Sequence, residues 1–141
     1  LHPRSLARLR DGKPVEVFGD PDARHAYNYT PDVARGLAIL GERDEAVGRA
    51  FHLPAAWTGT TRELVARFGE ALGKPGRVRA VPRWLLSAAG AFSPTMRAIG
   101  PMLYQFERPY VLDDRRFRAT FGMEPTPIDD AVRATLAAPA A

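Results

Sequence analysis

Residues 27–37 read Tyr-Asn-Tyr-Thr-Pro-Asp-Val-Ala-Arg-Gly-Leu, and this stretch predicts how the chain around it folds. Thr30, Pro31 and Asp32 are typical of a helix start. A threonine can cap free backbone N–H groups, proline suits the first helical turn, and an acid favours the positive end of the helix dipole. Apolar side chains then recur at helical spacing. The stretch therefore predicts an amphipathic helix that follows an aromatic segment and ends at Gly41.

Short strands and helices alternate on both sides of this segment. Runs of β-branched and apolar residues predict strands over 15–18, 50–53, 77–81 and 110–112. Helical spacing predicts helices over 5–10, 61–72, 95–106, 114–121 and 126–136, with another opened by Pro82. Gly100-Pro101 predicts a break within one of them, and residues 137–141 a frayed tail. The order indicates an α/β, or α+β-like, fold class and a single unit over residues 1–141.

Composition and charge exclude several classes of protein. The chain has 141 residues, and no stretch approaches the roughly 18 apolar residues that a membrane span needs. The absence of cysteine excludes a disulfide scaffold and a thiolate metal site. A net charge of +4 raises nucleic-acid binding as a hypothesis, but the basic residues are spread along the chain rather than clustered. We therefore expect neither a nucleic acid nor a membrane as partner.

The first residues of the chain indicate its origin and its location. Residue 1 is leucine, not methionine, and residues 1–10 contain three arginines without an apolar signal-peptide core. We expect a piece of a longer protein or a processed product, located in the cytoplasm.

Familiar catalytic and cofactor motifs are missing. The twelve glycines never form the phosphate loop that opens a helix in dinucleotide-binding folds. No Gly-x-Ser-x-Gly sequence surrounds a serine, and the three histidines lack metal-site spacing. Tyr104 and Arg108 have the spacing of a Tyr-x-x-x-Lys proton-transfer pair, but an arginine cannot give up a proton as a lysine can and orients its partners differently. A packing segment that lines a cleft is the favoured interpretation. The residues predict no catalytic, cofactor-binding or metal-binding group in this chain.

Several segments, in one order along the chain, resemble a known family. These are residues 12–15, 18–20, 27–37, 51–54, 61–64, 70–73, 110–113, 121–122 and 125–127. Their order and spacing resemble the C-terminal half of the extended short-chain dehydrogenases/reductases, the NAD-dependent epimerase/dehydratase family. The Tyr-x-Tyr-x-x-Asp-Val-Ala pattern within residues 27–34 is the most telling of them.

The resemblance implies an enzyme with two lobes. The N-terminal lobe would be a Rossmann domain that binds NAD or NADP. It would carry the nucleotide loop and a catalytic Tyr-x-x-x-Lys pair, and this sequence contains neither motif. The smaller C-terminal lobe covers the substrate. The resemblance thus implies that this chain is the substrate-binding lobe of an NAD(P)-dependent oxidoreductase or epimerase. By itself it would be inactive and bind no cofactor, and the missing Rossmann half or a partner chain would complete it.

The same resemblance, together with residue type, suggests residues that contact a small-molecule substrate. They are His25, Tyr27, Trp57, Tyr104 and Arg108. His25 stands where nucleotide-sugar members carry an arginine that meets the diphosphate, which weakens a nucleotide-sugar substrate without excluding it. Asp32 matches the family aspartate, although capping alone explains it.

Other functions stay open beside this one. The chain could be a stand-alone, non-catalytic binding or interaction module derived from the lobe, or a basic nucleic-acid-binding domain. An interdomain face left uncovered would expose apolar surface, which keeps a homodimer open as well. The reading frame upstream of Leu1 would discriminate between an enzyme lobe and a stand-alone module.

Overall fold

The structure is a computed structural model that describes residues 1–138, apart from the side chains at positions 87, 89, 96 and 99. Its strands are β1 (Val15–Val17), β2 (Arg24–Tyr27), β3 (Trp57–Thr60) and β4 (Val78–Ala80). Its α-helices are α1 (Pro3–Arg10), α2 (Thr30–Glu42), α3 (Thr61–Ala71), α4 (Arg83–Phe92), α5 (Pro94–Ile99), α6 (Tyr104–Glu107), α7 (Arg115–Phe121) and α8 (Ile128–Ala137). Short 3-10 turns cover Asp44–Ala46 and Gly100–Met102. The predicted mixed α/β class is confirmed.

Strands β1 and β4 pair in parallel, with Val15 opposite Val78 and Val17 opposite Ala80. Helix α1 packs on β1, where Leu9 and Val15 are fully buried. The β-branched residues of 15–18 predict β1, and the alternation of polar and apolar residues over 77–81 predicts β4; each strand lies within its predicted range. Strands β2 and β3 form a second two-stranded sheet.

The chain divides into two compact units. Unit 1 comprises Leu1–His25 and Gly59–Tyr110, and unit 2 comprises Ala26–Thr58 and Val111–Ala137. The buried apolar side chains of unit 1 include Leu9, Val15, Leu64, Val65, Phe68, Leu86 and Leu103. Those of unit 2 include Phe117, Met123, Ala131 and Val132. Each unit therefore has a core of its own, and the prediction of a single substrate-binding lobe stays a prediction.

The capping box predicted at the start of α3 is confirmed. The Thr60 hydroxyl accepts a hydrogen bond from the backbone N–H of Glu63 at 3.1 Å, and the Glu63 carboxylate accepts one from the Thr60 N–H at 2.9 Å. These reciprocal bonds satisfy two N–H groups that a helix start leaves without a partner. The sequence alone was enough here because every partner lies within four residues.

The predicted capping role of Thr30 is wrong. Helix α2 takes Tyr29 as its N-cap, without a side-chain hydrogen bond, and Thr30 is already helical. Pro31 lies in the first turn as expected. The Asp32 carboxylate is buried and accepts hydrogen bonds from Thr126, a distant residue that no local pattern could indicate.

Two of the predicted strands are also wrong. Residues 50–53 form no strand, and the segment 110–112 keeps only one bridge, between His25 and Tyr110. A strand is defined by a hydrogen-bonded neighbour, which an apolar run does not supply by itself. Strands β2 and β3 were missed, since neither Arg-His-Ala-Tyr nor Trp-Thr-Gly-Thr shows a clear alternation.

The C-terminal helices follow the sequence more closely. The break at Gly100-Pro101 is confirmed, since α5 ends at Ile99 and α6 begins at Tyr104. Gly122 takes the left-handed conformation that ends α7, as expected. Helix α8 begins at Ile128 rather than at Thr126 and continues to Ala137. The predicted frayed tail lies largely outside the described residues, which end at 138.

Unit 1 exposes several large apolar side chains on the helices that follow β4. Helices α4 and α5 pack together, and the Arg97 guanidinium donates to the Gly90 carbonyl oxygen at 3.1 Å. Trp84 and Phe92 are nevertheless 71% and 92% exposed. Isolated exposed apolar residues are common in proteins, but two aromatic rings this open leave apolar surface uncovered.

Candidate substrate-binding site

Unit 1 contains a cavity of about 480 Å³ next to helix α6. Its lining residues are Tyr104, Gln105, Arg108, Pro109 and Tyr110. They are nearly consecutive because α6 has only four residues and ends at Glu107. Pro109 then prevents the helix from continuing, since proline has no N–H to donate. A single short segment therefore forms the cavity wall.

A close backbone contact holds this segment on one side. The Asp20 N–H donates to the Phe106 carbonyl oxygen at 2.9 Å. Gly19, with a φ of 73°, lies so close that a Cβ on it would be 2.5 Å from the same oxygen. Only glycine fits this approach without strain. The turn at residues 19–20 therefore sets the position of α6.

An ion pair and a strand contact hold the two ends of the same segment. The Arg83 guanidinium lies 3.1 Å from the Glu107 carboxylate, which ties the start of α4 to the end of α6. The Tyr110 N–H donates to the Arg24 carbonyl oxygen at 2.8 Å, so Tyr110 pairs alongside β2. The cavity wall is thus fixed by residues far away in sequence.

The side chains of the cavity combine aromatic faces with one cation. Tyr104 and Tyr110 are 57% and 59% exposed, and the Gln105 amide lies 3.4 Å from the Tyr104 hydroxyl. Arg108 is exposed and forms an ion pair with no carboxylate within residues 1–138. Aromatic faces stack on rings, and a guanidinium binds phosphate or carboxylate through two parallel hydrogen bonds. The arrangement suits a small anion that also carries a ring.

The structure brings some of the predicted site residues together and not others. Tyr104 and Arg108 both line the cavity. His25 pairs its backbone with Tyr110, one of the lining residues. Tyr27 ends β2 and Trp57 begins β3; both are half-buried, belong to unit 2, and are not among the lining residues.

Sequence reasoning missed three residues of the cavity, namely Gln105, Pro109 and Tyr110. Their only local signal is that they flank Tyr104 and Arg108 in the sequence. The sequence predicts a strand at Tyr110, and strand pairing involves the backbone without indicating where the ring lies. The proximity of these three residues to Tyr104 and Arg108 in the sequence is therefore the better signal for the cavity.

The largest pKa shifts in the described residues fall on exposed ion pairs. Hydrogen bonds from the Arg115 side chain lower the pKa of Asp113 to about 2. Hydrogen bonds from Arg43 lower the pKa of Glu45 to about 2 in the same way. None of these four groups lines the cavity.

The glycines of the described chain do not fit the pyrophosphate of a dinucleotide. Such a site needs glycine backbone at the start of a helix. Gly12, Gly73 and Gly122 have positive φ values but follow helices α1, α3 and α7. Gly69 and Gly76 pack on each other, since a Cβ on Gly69 would lie 2.6 Å from the Gly76 Cα. These positions serve helix ends and close packing instead.

Residues 1–138 contain no group of three or more histidine, aspartate or glutamate side chains that could hold a metal ion. None of the helices in that range combines the length and apolar character that crossing a membrane requires.

Comparison with solved structures identifies the fold. A UDP-glucuronic acid 4-epimerase from Bacillus cereus, in complex with NAD, matches 93% of this chain with a TM-score of 0.63 and 14% identity. A partial consensus L-threonine 3-dehydrogenase matches 95% with a TM-score of 0.67 and 20% identity. The human epimerase family protein SDR39U1, with NADPH, matches 93% with a TM-score of 0.65 and 23% identity. The chain therefore has the same fold as a part of each of these three structures.

A sequence relative agrees with this fold match. The dTDP-glucose 4,6-dehydratase of Actinoplanes sp. (strain ATCC 31044 / CBS 674.73 / SE50/110) is 34% identical over 73 residues, which are 52% of this chain and 22% of that protein. No family model matches the chain. The chain spans 35% to 41% of the three solved structures. The resemblance of the sequence to the epimerase/dehydratase family is thereby confirmed.

Proposed function

We propose that this chain is the substrate-binding portion of an NAD(P)-dependent epimerase/dehydratase or reductase. Hydride transfer then takes place in a nucleotide-binding Rossmann domain outside these 141 residues. The fold match carries the proposal, since it covers at least 93% of this chain but at most 41% of each longer structure. On its own, the chain has no catalytic activity.

The cofactor assignment follows from the same comparison. The epimerase structure contains NAD, and the human structure contains NADPH. A nicotinamide dinucleotide supplies hydride chemistry when bound. Because Gly12, Gly73 and Gly122 follow the ends of helices α1, α3 and α7, we assign the residues that bind the dinucleotide to the other part of the protein.

The cavity on α6 is the proposed substrate contact of this chain. Arg108 binds the anionic group, and the exposed rings of Tyr104 and Tyr110 pack against a sugar or other ring. His25, whose backbone pairs with Tyr110, is proposed to approach the same ligand. Tyr27 and Trp57 are proposed as substrate contacts from the resemblance and their residue type.

The proposed substrate is a small molecule with a ring and a phosphate or carboxylate group. The proteins of known name that match the chain include a dTDP-glucose dehydratase and a UDP-glucuronic acid epimerase, whose named substrates belong to this class. The proposal includes a partner chain that carries the Rossmann half. It also includes a homodimer and a location in the cytoplasm.

A second candidate function is a stand-alone binding module without catalysis. One observation favours it: among the described residues, those that line the cavity all lie within 104–110, so that one short segment of this chain forms its wall. The two functions predict different sequence motifs upstream of Leu1 in the complete gene product. An enzyme lobe requires a Gly-rich strand–turn–helix and a Tyr-x-x-x-Lys pair upstream of Leu1, whereas a module requires neither.

Calorimetric titration of the 141-residue chain tests the binding role. UDP-glucuronic acid and dTDP-glucose are the probes, and Arg108→Ala is expected to weaken saturable binding about tenfold or more. Arg77→Ala, which removes another exposed arginine of unit 1, is the matched control and leaves binding unchanged. Equal binding by both variants would contradict the role of Arg108.

The cofactor assignment has a separate readout. We expect no heat of binding when NAD or NADP is titrated into the isolated chain. Saturable binding at micromolar affinity would overturn the assignment of the dinucleotide to another domain. Turnover of NAD(P) by the complete gene product, with a ligand that binds the cavity, would support the enzyme over the stand-alone module.

A further inference from the structure

Among the described residues that line the cavity of unit 1, Arg108 is the one cation, and the residue before it is an acid. That acid, Glu107, is the only aspartate or glutamate within residues 71–112. A carboxylate beside a guanidinium attracts it, and within a screening length of about 8 Å it also repels other anions. Arg108 can therefore bind an anionic ligand only if the charge of Glu107 is neutralised or directed elsewhere.

The Glu107 carboxylate is engaged by Arg83, the first residue of α4. One guanidinium nitrogen of Arg83, Nη1, donates to both carboxylate oxygens of Glu107, at 3.1 and 3.2 Å. The Glu107 side chain is half-buried, and it is not among the lining residues although Gln105 and Arg108 are. The carboxylate is thus both neutralised by Arg83 and kept out of the cavity.

The backbone at the end of α6 separates these two neighbouring side chains. The helix ends at Glu107, and Arg108 is extended, with a φ of −120° and a ψ of 152°. Successive side chains point to opposite sides of an extended backbone. The Cα atoms of adjacent residues are nevertheless only about 3.8 Å apart, and both side chains have several rotatable bonds. A Glu107 side chain released from Arg83 therefore reaches the Arg108 guanidinium.

We propose that Arg83 is a positioning residue for the cavity, because it holds the Glu107 carboxylate and so keeps the Arg108 guanidinium available to an anionic ligand. This inference rests on the proposed function, in which Arg108 binds the anionic group of the substrate. Arg83 does not line the cavity, and it acts through Glu107. Loss of Arg83 thus weakens the binding of an anion without removing any contact with the ligand.

Chemical modification of arginine tests the availability of Arg108 without any ligand. Phenylglyoxal reacts with accessible guanidinium groups, and mass spectrometry of the resulting peptides gives the rate at Arg108. We expect Arg83→Gln to slow this reaction about threefold or more, because the released Glu107 carboxylate pairs with Arg108. The double variant Arg83→Gln/Glu107→Gln should regain the natural rate. Circular dichroism shows whether each variant is folded, and an unchanged rate in folded Arg83→Gln would overturn the inference.

Calorimetric titration with UDP-glucuronic acid measures the effect on anion binding in the same variants. We expect Arg83→Gln to weaken binding about three- to tenfold, and the double variant to return to within about twofold of the natural affinity. Glu107→Gln alone should bind at least as tightly as the natural sequence. An ion pair that only supports the structure predicts otherwise, because Arg83→Gln and Glu107→Gln break the same contact. Equal losses in these two variants would overturn the inference.

A matched control removes a different exposed arginine from an ion pair of unit 1. Arg79 pairs with the Glu16 carboxylate, and neither residue lines the cavity. Arg79→Gln lowers the net charge by the same amount as Arg83→Gln, but it leaves Glu107 neutralised. We expect the modification rate of Arg108 and the affinity for UDP-glucuronic acid to stay at their natural values. Changes as large as those in Arg83→Gln would assign the effect to net charge and overturn the role of Arg83.

These outcomes are distinguishable from failure of the proposed function. A natural chain that binds no sugar nucleotide, but whose Arg108 loses reactivity in Arg83→Gln, would refute the binding role and keep the positioning role of Arg83. Conversely, saturable binding of equal strength in the natural chain and in Arg83→Gln, with equal reactivity of Arg108, would keep the proposed function and refute the positioning role.

Discussion

Asp32 and Thr126, 94 positions apart in the chain, form a buried carboxylate site within unit 2. The Asp32 carboxylate is 1% exposed and accepts hydrogen bonds from the Thr126 N–H at 2.7 Å and the Thr126 hydroxyl at 2.8 Å. Arg35, one helical turn later, lies 3.1 Å from the same carboxylate. The two hydrogen bonds join the start of α2 to the segment that precedes α8. Asp32 is thus a structural anchor as well as a favourable charge at a helix start.

Replacing Asp32 should therefore destabilise unit 2. Asp32→Ala leaves two donors of Thr126 without an acceptor, and we expect the free energy of unfolding to fall by about 3 kcal/mol. Urea unfolding followed by circular dichroism measures it. Asp44→Ala, which removes an exposed aspartate from a short turn of the same unit, should change stability by less than about 0.5 kcal/mol. Equal effects of the two substitutions would contradict the anchor.

A pair of glycine substitutions separates backbone strain from steric contact near the cavity. Gly19 and Gly12 have nearly equal φ values of 73° and 71°, but only Gly19 has Phe106 within 4 Å of an added Cβ. Gly12→Ala should cost about 1 kcal/mol, from the left-handed backbone alone. Gly19→Ala should cost more and should also weaken ligand binding at the cavity. Thermal unfolding and calorimetry measure the two effects, and equal losses would show that the contact with Phe106 is unimportant.

The capping box of α3 has a defined contribution to stability. Thr60→Ala removes the hydroxyl that accepts from the Glu63 N–H, and we expect a loss of about 1 kcal/mol in unfolding free energy. Thr60→Ser keeps the hydroxyl and should lose much less. The capping role would be contradicted by a serine variant as unstable as the alanine variant in chemical denaturation.

The pKa of Asp113 reports on the contact of this carboxylate with Arg115. Its pKa is lowered from 3.8 to about 2, first by hydrogen bonds from the Arg115 side chain. A lowered carboxyl pKa means that its stabilising effect is present above about pH 3.8 and is lost as the pH falls through about 2. Arg115→Gln should return the pKa of Asp113 towards 3.8, and carbon NMR of the carboxyl group measures it. Arg116→Gln is the control, and a similar shift there would contradict the specific pair.

Local signals predicted the elements whose partners lie nearby in the sequence. The capping box of Thr60 and Glu63, the break at Gly100-Pro101 and the left-handed Gly122 all depend on contacts within about one helical turn. Strand β1 is predicted by its β-branched residues, and β4 by the alternation of polar and apolar residues over 77–81. Tyr104 and Arg108 were selected for their residue types, and the structure places both in one cavity.

The sequence by itself determined the fold class, the lack of a dinucleotide loop and the ends of most helices, since these depend on composition and short-range geometry. Only the tertiary structure decided that Asp32 binds Thr126, that Tyr110 joins the cavity and that residues 50–53 lack a strand partner. The physical reason is the same in each case. Hydrogen bonds between residues distant in sequence leave no local pattern, and an apolar run becomes a strand only when another backbone lies beside it.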